Sequence, residues 1–382
     1  MKIELANRLN GIGEYYFSQK LREIDERNKR GEAVINLGIG SPDLAPHESV
    51  LQELRAESSK ENVHGYQNYK GSPILRNAIA HWYKKWYGVQ LNADKEILPL
   101  IGSKEGIMHV CMTYLNHGDV VLVPNPGYPT YTSAAKLAGG DVQEYFLKEK
   151  NNWLIDFFEL EKVITDLEQA EKKVKLLFVN YPHMPTGANA DKLFFEALVA
   201  FAKKHSILIC HDNPYSFILN DKPQSLLAIE GAKEVVIELN SLSKSHNMAG
   251  WRVGMLCGAE ERINEVLRFK SNMDSGMFLA VQLAAAKALE LEKNWHETLN
   301  EIYSERREKV FQLLDGIDCI YDQNQTGLFV WARIPVGYQS GYVLSDEVLN
   351  NAAVFITPGG IFGSAGNNYV RVSLCSTAEK IE

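Results

Sequence analysis

Between about residues 97 and 258, short aliphatic and β-branched runs alternate with segments whose apolar residues recur at helical spacing. Parallel strands need long crossovers, and a helix is the usual one, so the alternation predicts βα units around a largely parallel sheet. Strands are expected at 96–101, 120–123, 173–180, 207–211, 234–239 and 253–257, and helices at 104–116, 157–169, 190–204 and 260–271. Sheets of this kind bind ligands beyond the C-terminal ends of their strands. Polar residues at those ends are therefore the first candidates for a site.

Beyond Met277 the pattern is helical almost to Leu314, with an interruption around Asn294. Strands then follow near 327–334 and 369–374, around a helix at 343–351. This predicts a second, smaller domain, which a chain of 382 residues has the material to build. The 40 Lys and Arg against 48 Asp and Glu leave a net charge of −8 with no basic cluster, which disfavours a nucleic-acid partner. The longest apolar runs, such as 176–179 and 207–210, are strand-sized, and Met1 to Asn10 lacks the apolar core of a secretion signal. A soluble, cytoplasmic protein with no membrane partner is expected. Its five scattered cysteines form no Cys-x-x-Cys pair and read as reduced, structural thiols. Ser376 to Glu382 starts a helix that stops within a turn, which reads as a trimmed or missing tail.

Residues 241–254 read Ser-Leu-Ser-Lys-Ser-His-Asn-Met-Ala-Gly-Trp-Arg-Val-Gly. The amine of Lys244 can condense with an aldehyde, while Ser241, Ser243 and Arg252 offer donors and positive charge to a phosphate dianion. A serine- and glycine-bearing loop with a solvated lysine is the plainer alternative. The stretch resembles, position by position, the attachment signature of class I/II aminotransferases, which carry pyridoxal 5'-phosphate (PLP) on the fold type I scaffold. The resemblance implies an α/β fold: a large domain with a mostly parallel seven-stranded sheet plus a smaller α+β domain. It places an N-terminal arm and the first part of the small domain at 1–47, the PLP-binding domain at 48–285, and the rest of the small domain at 286–382.

Further motifs extend the resemblance. Asp212 follows the strand Ile-Leu-Ile-Cys-His and matches the carboxylate that meets the pyridine nitrogen; a helix cap before Pro214 is the alternative. Tyr215 matches the phenol that bonds the ring oxygen O3'. With Lys244, these two are the implied catalytic residues. Ser103 and Lys104, between a strand and a helix, match the phosphate loop, and Tyr128 in Asn-Pro-Gly-Tyr-Pro-Thr-Tyr matches the aromatic that lies on the cofactor ring. Tyr66, in His-Gly-Tyr-Gln-Asn-Tyr-Lys-Gly, matches a tyrosine that reaches the phosphate of the neighbouring subunit, which implies a homodimer with shared active sites. The stretch 270–278 is expected to line the partner's site. Arg371 matches the arginine that grips the substrate α-carboxylate, and Gly40 the glycine whose backbone approaches it. The Gly38-x-Gly40 pair is no dinucleotide loop, since Pro42 and the lack of a third glycine oppose one. Tyr15, with its neighbours Tyr16 and Phe17 and the 273–278 loop, is expected to shape the side-chain pocket. No metal ligand set is assigned.

One position departs from the family. Where its Asn-Pro-Thr-Gly has an asparagine that donates to O3', this chain has Met184, whose thioether donates nothing. The adjacent His183 either approaches the site in compensation or is structural. The implied activity is ping-pong transfer of an amino group between an L-amino acid and a 2-oxo acid, with Lys244 first linking the cofactor and then shuttling protons. The alternatives are a PLP-dependent lyase or synthase on the same scaffold, and a PLP-binding protein without turnover.

Overall fold

A computed structural model describes residues 3–382. Its central feature follows from the continuous apolar runs, whose alternate side chains enter two different cores. Ile97, Val120, Leu122, Leu177, Val179, Ile209, Val236 and Met255 pack on one face of a sheet. Leu98, Leu100, Val121, Val123, Leu176, Phe178, Cys210, Ile237 and Leu256 pack on the other. Burial on both faces is what makes such strands apolar throughout.

The sheet has seven strands: β1 Ile97–Leu100, β2 Val120–Asn125, β3 Asp141–Phe146, β4 Val174–Val179, β5 Leu208–Asp212, β6 Val236–Ser241 and β7 Gly254–Gly258. Their spatial order is β1-β7-β6-β5-β4-β2-β3. β7 runs antiparallel to both its neighbours, and every other pairing is parallel. β3 is absent from the strands expected above. It lies at the sheet edge, paired with β2 alone, and of its residues Asp-Val-Gln-Glu-Tyr-Phe just Tyr145 is buried, so it carries little apolar signal.

The helical stretch after Met277 divides into Leu279–Leu289 and Lys293–Gly316. The break falls at 290–292 rather than around Asn294, because Asn294 already sits in the first turn of the second helix. The earlier helix contributes Ala284 to Leu289 to the large core. A separate core joins Phe17, Ile24, Val34 and Leu37 to C-terminal residues such as Tyr303, Val330, Phe355 and Val372. It packs on an antiparallel sheet of β8 Ile320–Tyr321, β9 Phe329–Arg333, β10 Thr357–Pro358 and β11 Tyr369–Ser373, in the order β10-β11-β9-β8. Ile35–Asn36 pairs in parallel with Val354–Phe355, tying the N-terminal segment to this body. All five cysteines are unpaired, and no helix of the described residues is long and apolar enough to cross a membrane.

Candidate active site

The ends of β1, β4, β5 and β6 and the segment after Val34 open on one cavity of about 810 Å³. Most residues singled out in the sequence line it: Tyr15, Gly40, Ser103, Lys104, Tyr128, Asp212, Tyr215, Ser241, Ser243, Lys244, Arg252 and Arg371, with Phe17 and Met184 beside them. Tyr66 does not; it is 95% exposed and borders a second cavity of about 380 Å³, with His64, Gln67 and 275–278.

Asp212 is the last residue of β5 and is buried. Its Oδ2 accepts from the Tyr131 hydroxyl at 2.8 Å, and Asn180 Nδ2 donates to its main-chain oxygen at 2.6 Å. Oδ1 has no hydrogen-bond partner among the described residues. Burial, partly offset by the Tyr131 bond, pushes the carboxyl up to about 6. A buried carboxylate oxygen without a donor is costly, and a ligand N–H is what it lacks.

Lys244 lies in the one-turn helix Leu242–Ser245, directly after β6. Ser241 caps that helix: its Oγ accepts from Ser243 N–H at 3.1 Å and lies 2.8 Å from Ser243 Oγ. The Lys244 ammonium donates to Gly40 O. Burial foremost, reinforced by the charges of Arg371 and Arg252, pulls its pKa below the ordinary lysine value. A desolvated amine between two cations is an activated nucleophile.

Arg252 has a left-handed φ of 58° and lays its guanidinium on Gly102, where an added Cβ would fall 2.0 Å from Nη2. Gly102 itself has φ 84°, turning the chain from β1 into the helix Ser103–Tyr114. The first N–H groups of that helix, the Ser241 and Ser243 hydroxyls and Arg252 thus face one cavity, a donor set suited to a dianion.

On the opposite side, β11 carries Arg371. Its Nη2 donates to Gly38 O at 2.7 Å and its Nη1 to Met184 Sδ at 3.2 Å, while Nε has no partner. The guanidinium sits 3.8 Å from the Phe329 ring centroid, 4.6 Å from Phe362 and 5.5 Å from Phe17. Burial lowers its pKa to about 10, so it stays charged at neutral pH. Gly40 is required by close packing: a Cβ there would meet Phe329 Cζ at 2.2 Å.

Lys104 directs its ammonium over the Tyr15 ring, 4.9 Å from the centroid, and makes no ion pair among the described residues. Tyr128 precedes the helix Pro129–Leu137 and meets Tyr131 edge-on at 5.6 Å. Tyr215 packs against Phe329. His183 does not line the cavity; its Nδ1 is 2.8 Å from Thr186 Oγ1 and burial lowers its pKa to about 3, the signature of a neutral structural ring. Sequence reasoning missed Tyr131, Asn180, Phe329 and Phe362. Tyr131 was within reach, as the last residue of the same Asn-Pro-Gly-Tyr-Pro-Thr-Tyr segment that carries Tyr128; the others meet the site through the fold alone.

The donor set fits PLP: an unpartnered buried carboxylate oxygen for a ring N–H, a desolvated lysine, and a glycine-lined anion seat. The sequence profile described as "Aminotransferase class I and II" matches residues 32–382. An LL-diaminopimelate aminotransferase of Dehalococcoides mccartyi is 41% identical over 382 residues, spanning 100% of this chain and 97% of the relative. One from Halothermothrix orenii is 40% identical, spanning 100% and 96%. Among solved structures, substrate-bound BacF from Bacillus subtilis superposes with a TM-score of 0.93 at 38% identity, over 100% of this chain and 95% of that one. A probable N-succinyldiaminopimelate aminotransferase from Thermus thermophilus gives 0.87 at 32%, over 96% of each.

Proposed function

This chain belongs to the class I and II aminotransferases and is a PLP-dependent enzyme that transfers amino groups, and from that premise we propose how its own residues divide the work. Bound in the cavity, PLP supplies an electrophilic aldehyde and an electron-withdrawing ring. Lys244 would anchor it as the nucleophile, and the free amine of Lys244 would move the proton at the substrate α-carbon. Asp212 would accept the ring N–H at its unpartnered Oδ1 and would favour the protonated nitrogen. Tyr215 offers its hydroxyl to the ring oxygen, and Tyr128 a flat face to the ring. Ser103, Ser241, Ser243, Arg252 and the N–H groups of the 102–104 turn seat the phosphate. Arg371 grips the α-carboxylate in a cage of three aromatic rings that exclude water and stiffen the guanidinium.

The observation that carries this reading is the convergence of a partnerless carboxylate oxygen, a lysine with a depressed pKa and a buried arginine on one cavity. Borohydride reduction of cofactor-loaded protein should fix the cofactor to Lys244, and Lys244→Ala should abolish turnover. Reduction that leaves that amine unmodified would overturn the assignment.

For the amino donor, we assign the Lys104 backbone to the phosphate turn and its ammonium to the substrate. A cation held over Tyr15 without an anionic partner suits a side chain ending in a carboxylate. LL-diaminopimelate and L-glutamate both have such an end, and the relatives named above bear the former's name. In a donor panel these two should convert the cofactor to its amine form faster than L-phenylalanine; the reverse order would refute the assignment. We further place the enzyme in the cytoplasm as a homodimer in which Tyr66 completes the partner's phosphate seat. Its large domain extends to the break at 290–292, and the N-terminal arm belongs with the small domain.

A further inference from the structure

A buried charged chain runs from the 102–104 turn to the surface segment 270–278, and the reaction described above uses none of its members. Ile101 N–H donates to Glu105 Oε2 at 2.6 Å, so the carboxylate one turn into the helix holds the strand end from which the turn departs. The other oxygen of Glu105 lies 3.2 Å from His109 Nε2, and the same nitrogen lies 3.8 Å from Asp274 Oδ2. Asp274 Oδ1 is taken by the Lys270 ammonium and by Gly276 N–H at 2.8 Å. His109 and Lys270 are almost wholly inaccessible. The imidazole packs edge-on against Phe269 at 5.3 Å, which fixes its plane.

We propose that His109 is a positioning residue that couples occupancy of the phosphate turn to the order of the 271–278 segment. This rests on reading the 102–104 turn as the seat of the cofactor phosphate. Carboxylate oxygens of two different elements flank Nε2 at 3.2 and 3.8 Å, neither aligned as a hydrogen bond, so the imidazole is the polar spacer that holds the two carboxylates apart. Glu105 holds Ile101 N–H with one oxygen while the other lies against the His109 ring. Asp274, on the far side, fixes the start of a turn in which Gly276 has φ 85° and packs on Asn68 O, close to the Tyr66 segment. Ordering either end removes freedom that the other end would otherwise have to lose, which is reciprocal coupling without a large movement.

The three donors Glu105, His109 and Asp274 lie within 4.8 Å of one another, a spacing a metal ion could use. Lys270 argues against that use. Its ammonium already occupies one oxygen of Asp274 and leaves the cluster a single net negative charge before the imidazole proton is counted, too little to hold a divalent ion beside a lysine.

The test compares wild-type, His109→Leu and His109→Gln proteins without cofactor and with PLP, reading the PLP dissociation constant and amide exchange at 271–278. In wild type, PLP should slow exchange at 271–278. His109→Leu should raise the dissociation constant about tenfold and abolish the slowing, and His109→Gln, which keeps an N–H donor, should restore most of both. Asp274→Asn approaches from the other end and should uncouple the segment if His109→Leu does not fold. Unchanged affinity with the slowing intact in His109→Leu would overturn the proposal, as would stoichiometric zinc bound by wild type and lost in that variant. A wild-type protein that binds no PLP would sink the phosphate reading itself, whereas wild-type binding with unaltered variants sinks the coupling alone.

Discussion

The thioether of Met184 lies 3.2 Å from Nη1 of Arg371, inside the cavity and against the guanidinium proposed to hold the substrate carboxylate. Met184 is held there through its backbone: its N–H donates to Asn180 Oδ1 at 2.7 Å, and Asn180 Nδ2 bonds the main chain of Asp212. The position is therefore fixed while its side chain gives Arg371 a weak, soft acceptor and gives the cofactor no donor. Met184→Asn supplies both. The pKa of the imine between Lys244 and the cofactor should fall by about one unit, the worth of one hydrogen bond to a charged group. A spectroscopic titration with an unchanged or higher midpoint would count against this.

Arg371→Lys keeps the charge and loses the fork. An ammonium cannot span Gly38 O and the substrate carboxylate together, nor lie flat against Phe329 at 3.8 Å. We expect kcat/KM for amino donors to drop by roughly 10²-fold, mostly through KM, with cofactor affinity little changed. Steady-state kinetics beside a cofactor titration separates the two; equal losses in both would show that Arg371 serves the architecture of the whole cavity.

Much of the site can be read without coordinates because its chemistry depends on residue type at strand ends. Asp212 ends an apolar run that the sheet must bury, and Ser103 and Lys244 each lie three residues beyond the end of another. The environment that tunes them is less accessible to such reading. Phe329 and Phe362 converge on Arg371 from two distant segments, and nothing local marks either of them as more than core. β3 escaped for a related reason: an edge strand with a mostly uncovered face has no need of the apolar run that announces its neighbours.

Asp212 makes the cofactor-free protein sensitive to pH in a defined direction. Its folded pKa of about 6 lies above the ordinary 3.8, so the stability it contributes is present below pH 4 and lost as pH rises through 6. The loss is about 3 kcal/mol as an order of magnitude. Asp212→Asn removes that limb. In urea unfolding without cofactor, the variant should exceed wild type at pH 7.5, with the gap closing toward pH 4, while turnover falls roughly 10²-fold or more. Parallel stability profiles for the two proteins would refute the assignment.

His296 works in the opposite sense. It stacks on Phe217 at 4.4 Å, neither ring nitrogen has a partner among the described residues, and burial lowers its pKa to about 4. A depressed histidine contributes stability above its unfolded pKa near 6.5 that is lost as pH falls toward 4, because the unfolded chain takes up the proton first. His296→Phe keeps the stacked ring and removes the titration. Its acid unfolding midpoint should shift to lower pH, read by circular dichroism; a midpoint at or above that of wild type would show that the ring is solvated or paired.

The homodimer reading makes a demand that activity alone can check. Tyr66 stands on the surface of its own chain, outside the cavity that holds Lys244. If it serves the partner's phosphate seat, Lys244→Ala and Tyr66→Ala damage different halves of one shared site. In a mixed dimer, one site carries both lesions, while the other combines an intact Lys244 with an intact Tyr66 from the opposite chain. Random pairing of equal amounts then makes half the dimers mixed and leaves about a quarter of all sites whole. Unfolding and refolding the two variants together should therefore recover about a quarter of wild-type activity, well above the sum of the parents. Recovery no greater than that sum would place Tyr66 outside the partner's site, even if the protein runs as a dimer on size exclusion.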